Sequence, residues 1–346
     1  MQNKKVYNKK VQNKSKQRKK SYHGQRLYAF VMMSCLALFL YAFLAVKGYW
    51  PQQEGWQDGS QGTLPGDGLN NSLSNAQGNE ENNQAENEGD FLEVHFIDVG
   101  QGDATLIKCD GQSMLIDAAG EDKGTTLRYY LLKHGVEKLD YLVLTHPDSD
   151  HIGSADVILT KFPVENVLMS CYEKDSTSYR NLMGTLEYKR IEPQIAEVGQ
   201  NFDIGGARCT VLGALQDSET PNNGSVIVLV EHGENTFLFT GDGETAAEDA
   251  VLKYAESQQL KGDELLSVDV YKAGHHGSST SSTEKLLDAV KPSYAVISCA
   301  KGNEYGHPHE EVLERFRERN IQVCRTDEQG TIVVISDGSS LTWQLR

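Results

Sequence analysis

The chain has 346 residues, 24% of them charged, and a formal net charge of −16. That length allows one or two domains, and the acidic balance works against nonspecific attraction to nucleic acid or anionic membranes. The six cysteines form no Cys-x-x-Cys pair, which excludes zinc-finger and thioredoxin-type readings; scattered through apolar runs, they read as buried thiols rather than a disulfide framework.

Residues 1–26 hold ten basic residues, from Lys4 to Arg26, and no acidic one. They read as a basic cytoplasmic arm. Residues 27–46, LYAFVMMSCLALFLYAFLAV, carry no charge; as a helix they would cross about 30 Å, the hydrocarbon thickness of a bilayer. A cleaved leader is the competing reading, but the run exceeds a leader's roughly 7–15 apolar residues and no A-x-A site follows it. Basic residues before the span orient it with the N-terminus cytoplasmic and everything after Lys47 outside. The expected location is therefore the cell membrane, single-pass, with an extracellular remainder. Residues 47–90 are rich in Asn, Gly, Gln and Glu, with eight acidic residues against one basic, and predict a disordered acidic linker.

Globular composition begins at Phe91 and defines one domain, 91–346. It holds 41 of the 49 acidic residues but 22 of the 33 basic ones, a net charge of −19. LEVHFIDV and DATLIKC flank a GQG turn and predict a hairpin, with SMLIDAAG as a third strand. TTLRYYLLKHGV has helical spacing and stops at Gly135. LDYLVLT is a short apolar strand; signals over 155–200 are weaker. ARCTVLGAL, SVIVLVEHG and NTFLFTGD read as strands, and ETAAEDAVLKYAESQQL as a helix. VDVYKAG, SYAVISC, IQVCRT and GTIVVIS are further strands, with helices at SSTEKLLDAV and HPHEEVLERFRERN.

Three polar clusters share one placement, directly after an apolar strand: His146-Pro-Asp148-Ser-Asp150-His151 after YLVLT, Asp242 after TFLFT, and His275-His276 after VDVYKAG. Strand ends can converge at one sheet edge. Carboxylates gathered with imidazoles call for a cation, and this donor set suits divalent first-row metals. Taken singly, each also has a bland reading: HPDSDH as a solvated turn capping a helix, Asp242 as a turn residue and the histidine pair as surface. Their joint placement favours a metal site.

HPDSDHIG, LFTGD and KAGHHGSSTSS resemble the metal motifs of the metallo-β-lactamase superfamily. Together with DVGQGDA, NNGSVIVLV and YGHPH, they are similar to the extracellular hydrolase domain of ComEC-type DNA-uptake (competence) proteins. The resemblance covers 91–346 and implies an α/β fold, an αββα sandwich of the metallo-β-lactamase type, holding one or two divalent ions, Zn or Mn. It implies His146, Asp148, Asp150, His151, Asp242 and His275 as ligands, with His276 competing for the last place or lying in the substrate site. Two departures stand out. Asp148 occupies the usual place of a second histidine, and Asn222-Asn223-Gly224-Ser225 lacks the middle histidine ligand. Added oxygen donors favour Mn²⁺ as a rival to Zn²⁺. The mechanism implied is attack by a metal-bound hydroxide that Asp150 orients, with His307 serving the leaving group or a substrate oxygen. Asn223, Ser225, His276 and Ser278 are expected to contact substrate. Ser278–Ser282 either line the mouth or cap the next helix.

Three functions follow. The first is a membrane-anchored extracellular metal-dependent phosphodiesterase acting on DNA. The second keeps the metal and changes the substrate to envelope or small-molecule esters, lactones or phosphodiesters. The third is a non-catalytic surface binding module with a degenerate site. Expected partners are DNA or an envelope phosphodiester, and the membrane through residues 27–46. No protein partner is evident.

Overall fold

Side chains on successive strand residues point to opposite faces, and here each face has its own apolar layer. The computed structural model describes residues 91–258 and 267–345. One sheet contains β1 (Leu92–Phe96), β2 (Thr105–Cys109), β3 (Gln112–Ile116), β4 (Leu139–Leu144), β5 (Val164–Met169), β6 (Gln194–Ile195), β14 (Ile332–Ser336) and β15 (Leu341–Gln344). Its order is β15-β14-β1-β2-β3-β4-β5-β6; the strands pair antiparallel from β15 to β3 and parallel from β3 to β6. The second contains β7 (Asn201–Ile204), β8 (Ala207–Gly213), β9 (Ile227–His232), β10 (Asn235–Phe239), β11 (Val270–Lys272), β12 (Tyr294–Ile297) and β13 (Gln322–Arg325). Its order is β13-β12-β11-β10-β9-β8-β7, parallel from β10 to β13 and antiparallel elsewhere.

The two sheets pack face to face. Val94, Phe96 and Ile107 of the first meet Val228, Phe237, Phe239 and Val296 of the second. On the outer face of the first sheet, Leu106, Leu115 and Leu142 pack against helices α1 (Gly124–Lys133), α3 (Ala155–Lys161) and α4 (Thr177–Lys189); the short α2 (Ser149–Ile152) precedes α3. Beyond the second sheet, Leu238, Tyr271 and Ala295 pack against α5 (Thr245–Ser257), α6 (Glu284–Val290) and α7 (Glu310–Glu318). The helices bury i, i+4 pairs such as Leu127/Leu131, Leu182/Leu186 and Val312/Phe316. Each fully buried side chain of this size contributes about 1.5–3 kcal/mol. The result is the four-layer α/β sandwich expected. The hairpin, the strand before HPDSDH and the helix after YGHPH all form as expected, while the weakly patterned 155–200 region holds β5, β6, α3 and α4.

The predicted arm, membrane span and linker lie outside the described residues. Among the described residues, no helix is long and apolar enough to cross a membrane. The cysteines at 109, 209, 299 and 324 are free and buried, and Cys171 is free and exposed.

Topology brings the carboxyl ends of β4, β10 and β11 together. Val226 N donates to Thr145 O (2.9 Å) and His275 N to Gly241 O (3.1 Å). The HPDSDH turn is clamped from the first sheet: Asp103 N donates to Asp150 O (3.1 Å) and Ala118 N to His151 O (2.6 Å). This clamp requires Gly102, whose φ is +130° and whose added Cβ would run into the Asp150 carbonyl. Gly102→Ala is expected to destabilise the chain by about 1–3 kcal/mol, because both backbone strain and a backbone collision are introduced. Thermal melting checks this, and an unchanged melting temperature would refute the clamp.

Candidate metal centre

Asp242 leaves the end of β10 through Gly241, whose φ of +52° turns the chain back over Thr145. Its backbone N donates to Ser225 Oγ (3.2 Å). The carboxylate is buried and faces four imidazoles. Oδ1 lies 3.2 Å from His151 Nε2 and 3.7 Å from His276 Nε2. Oδ2 lies 3.7 Å from both His146 Nε2 and His275 Nε2. Asp150 Oδ2 stands 3.3 Å from His276 Nε2. Donor atoms of Asp103, His151, Asp242 and His276 all fall within 4.8 Å of one another.

Each ring is held from behind through Nδ1. His151 Nδ1 donates to Asp117 Oδ2 (2.7 Å) and His276 Nδ1 to Ser298 O (2.9 Å). His146 Nδ1 meets Thr145 Oγ1 (3.0 Å), which itself donates to Asp117 Oδ2 (2.8 Å). His275 Nδ1 meets Thr280 Oγ1 (3.2 Å). Partners of this kind set the tautomer and aim the Nε2 lone pair. The aimed atoms are buried, and no hydrogen bond satisfies His146 Nε2, His151 Nε2, His276 Nε2, Asp103 Oδ1 or Asp242 Oδ1. Leaving such atoms unpartnered costs about 1–3 kcal/mol each. A divalent cation satisfies nitrogen and carboxylate donors together, so the residues present fit a metal.

Charge follows the same geometry. Burial favours neutral His151, but Asp242 and Asp117 outweigh it and hold the imidazole well above the usual histidine range. His276 is likewise raised: burial opposes the charge, and Asp242 and Asp150 prevail. His146 is lowered by burial and by the neighbouring His151. Burial would raise Asp242, yet His151 and His276 hold it well below the carboxylate range. Asp150 is lowered too, its hydrogen bond to His276 overcoming burial.

The remaining predicted residues take definite places. Asp148 turns to Lys174, with Oδ1 2.7 Å from its ammonium. Asn223 is engaged with the start of α5: Oδ1 accepts from Glu244 N (3.2 Å) and Ala247 N (3.1 Å), while Nδ2 donates to Glu244 Oε2 (3.2 Å). Ser225 supports the Asp242 backbone. Ser278 Oγ meets Thr280 Oγ1 (3.1 Å). The serine run mainly builds its own loop: Ser281 Oγ donates to Gly243 O, Ser282 Oγ meets Tyr271 OH, and Thr283 caps α6. His307 stands at the rim, its ring 5.6 Å from His275 and 6.3 Å from His276. Burial, with His276 and His275 nearby, pushes its pKa down to about 4. His309 ties this loop down, accepting from Ser279 N at Nδ1 and donating from Nε2 to Tyr305 O.

Three residues at the site were not among the predicted ligands. Asp103 is buried and ion-paired with buried Lys272 (2.9 Å), and its Oδ1 faces the cluster. Asp117 anchors His151 and Thr145. The signal was available for Asp117, which follows the apolar strand SMLI as the other clusters follow theirs. Lys272 sits inside a strand, where only the fold shows what it meets.

A buried carboxylate–imidazole cluster at the strand ends of an αββα sandwich defines a metallo-hydrolase. The chain belongs to the metallo-beta-lactamase superfamily, whose family model matches residues 97–301. It is similar to ComE operon protein 3 of Bacillus subtilis (strain 168), 30% identical over 264 residues covering 69% of this chain and 32% of that protein. It is similar to Recombination protein 2 of Haemophilus influenzae, 30% identical over 248 residues, 70% of this chain and 28% of the relative. Competence protein ComA of Neisseria gonorrhoeae is 33% identical over 238 residues, 68% of this chain and 31% of the relative. The matched region thus spans about a third of each relative's length.

Metal competes with protons for His151 and His276, whose neighbouring carboxylates strengthen their hold on a proton. Metal addition is therefore expected to release protons, and affinity to fall as pH drops through the raised histidine pKa values, beginning above the ordinary histidine value of about 6.5. Calorimetry in buffers of different ionisation enthalpy reads this directly; a metal-binding heat independent of buffer would contradict it.

Proposed function

We propose that this chain is a membrane-anchored, outward-facing, metal-dependent phosphodiesterase that acts on DNA. The observation carrying the hydrolase part is the set of buried, unsatisfied Nε2 and carboxylate atoms converging on Asp242. The names of two relatives, Recombination protein 2 and Competence protein ComA, support DNA as substrate. The uncharged run 27–46 behind a basic arm supports the anchor and its orientation.

The metal, Zn²⁺ or Mn²⁺, would be held by His146, Asp150, His151, Asp242 and the histidines at 275–276. When bound, a divalent ion supplies Lewis acidity and makes water a competent nucleophile at neutral pH. The chain's own groups do the rest. Asp150, ionised and beside His276, is placed to accept a hydrogen bond from the attacking water and orient it. His307 stays neutral near pH 7, so it offers a hydrogen bond to a substrate oxygen rather than a stored proton. Lys174 at the rim, paired with Asp148, is a cation within reach of an entering phosphate.

One observation favours a second reading. With a net charge of −19 over residues 91–346, long-range attraction to a polyanion is absent. A small ester or envelope phosphodiester fits that charge better than duplex DNA.

Linear DNA and an aryl phosphodiester, each with no metal, Zn²⁺ or Mn²⁺, discriminate these readings. We expect metal-dependent cleavage of both, falling by about 10²–10⁴-fold in Asp150→Ala, which removes a metal-holding carboxylate together with the group that orients water. Turnover of the small diester alone would transfer the assignment to the second reading. No turnover with either metal would sink the hydrolytic one.

A further inference from the structure

Tyr305 leaves 58% of its surface in solvent. A lone exposed tyrosine is ordinary, and Tyr129 on α1 and Tyr188 on α4 are more exposed still. Those two lie on helices outside the first sheet. Tyr305 instead belongs to the loop between β12 and α7, which is bonded to the histidine turn through His309 N and Gly277 O (2.9 Å). The loop is fixed on both sides of the ring. Asn303 Oδ1 accepts from Tyr305 N (3.1 Å) and His307 N (3.0 Å), its Nδ2 donates to Ala300 O (2.9 Å) and His307 O, and His309 Nε2 donates to Tyr305 O (3.2 Å). Backbone held in this way has already lost its freedom, so a ligand that covers the ring adds little ordering cost.

The ring is also aligned with the metal centre. Tyr305 stacks on His307, with centroids 5.6 Å apart and planes at 24°. His309 meets His307 edge-on at 4.8 Å. His307 in turn lies parallel to His276 within 29° and 5.6 Å from His275. One imidazole therefore separates an exposed aromatic from the histidines that face Asp242. His307 Nδ1 is enclosed and has no hydrogen-bond partner among the described residues, so an entering polar group would relieve it. Charge offers no alternative hold at this turn. Lys301 and Glu304, both exposed, cancel, and residues 91–346 carry a net −19. Stacking needs no positive field, because every base presents a π face.

We propose that Tyr305 is a stacking platform for a nucleobase, seating the base beside the phosphodiester that enters the centre, so that the domain takes strands with unstacked bases in preference to a duplex interior. Tyr305 is then a specificity-determining residue that positions substrate and takes no part in the chemistry. The platform presupposes the phosphodiesterase reading of the centre.

Fluorescence anisotropy of a dye-labelled single-stranded thymidine decamer tests this on the full chain. Hydrolysis is suppressed in two ways, the wild-type chain in EDTA and Asp150→Ala with Mn²⁺, and melting curves confirm that each Tyr305 variant folds. Tyr305→Ala is expected to bind about 5–100-fold more weakly, the range for losing one base–aromatic stack, with Tyr305→Phe within about twofold and Tyr305→Trp at least as tight. An abasic decamer should bind the wild-type chain no better than the thymidine decamer binds Tyr305→Ala. Between about 50 and 200 mM salt, affinity should fall by less than about tenfold, since few phosphates are neutralised. Undiminished binding by Tyr305→Ala, equal affinity for thymidine and abasic strands, or a wild-type chain that binds neither would overturn the platform and leave the hydrolase reading to stand on metal-dependent turnover. A loss of about 10³-fold or more over that salt range would mark binding led by charge and overturn it too. Binding through Tyr305 with no turnover of any diester by the metal-loaded chain would uphold the base site and overturn the hydrolase reading alone.

Discussion

A buried carboxylate that faces four imidazoles organises this domain. Asp242 is almost fully enclosed, and an enclosed charge is tolerated only where opposite charge and hydrogen bonds surround it. The four imidazoles come from two segments, 146–151 after β4 and 275–276 after β11, and each needs its own backing: Asp117 for His151, Thr145 for His146, Ser298 O for His276, Thr280 for His275. Asp117, Thr145 and Ser298 directly follow β3, β4 and β12, whose sides are set by inter-sheet packing, and Thr280 lies in the loop before α6. The apolar layers therefore serve the site by fixing where strands stop.

The departures from the superfamily's motif are absorbed by new local pairs rather than left as gaps. Asp148 pairs with Lys174. Asn223 spends its amide on Glu244 and the first turn of α5, where capping is what asparagine does well. The serine run after the histidine pair is similarly committed, bonded to Gly243, Tyr271 and Glu248 and crossed by Arg315. Polar composition near a site is thus as much scaffold as substrate surface here.

Beneath the centre, Asp103 and Lys272 form an ion pair in which both members are buried. Breaking such a pair by removing one partner commonly costs about 3–5 kcal/mol, because the other charge is left uncompensated. The pair also links the β1–β2 turn of one sheet to β11 of the other, so the turn carrying Gly102 and the turn carrying the two histidines are tied through the interior. Rigid placement of both halves of the cluster follows from that tie together with the backbone bonds at Asp150 and His151.

Short apolar runs bounded by glycine turns made β1, β2 and β10 legible, because both faces of these strands are buried and apolar residues mark the buried positions. The helical i, i+4 pairs were legible for the same kind of reason. HPDSDH, Asp242 and the histidine pair were legible as a metal cluster because each followed an apolar run and carried groups too costly to bury alone. Asp117 follows the same rule, but a lone aspartate after a strand is also common in turns and carries no metal signal by itself. By itself the sequence determined the fold class, the strand ends that bear chemistry and the residue types gathered there. Tertiary structure alone decided which way those side chains face: that Asp148 turns to Lys174, that Asn223 braces Glu244, and that His275 and His276 share Asp242. Those outcomes depend on contacts between residues distant in the chain and on left-handed backbone at His275 and His276, and neither leaves a periodic trace in the sequence.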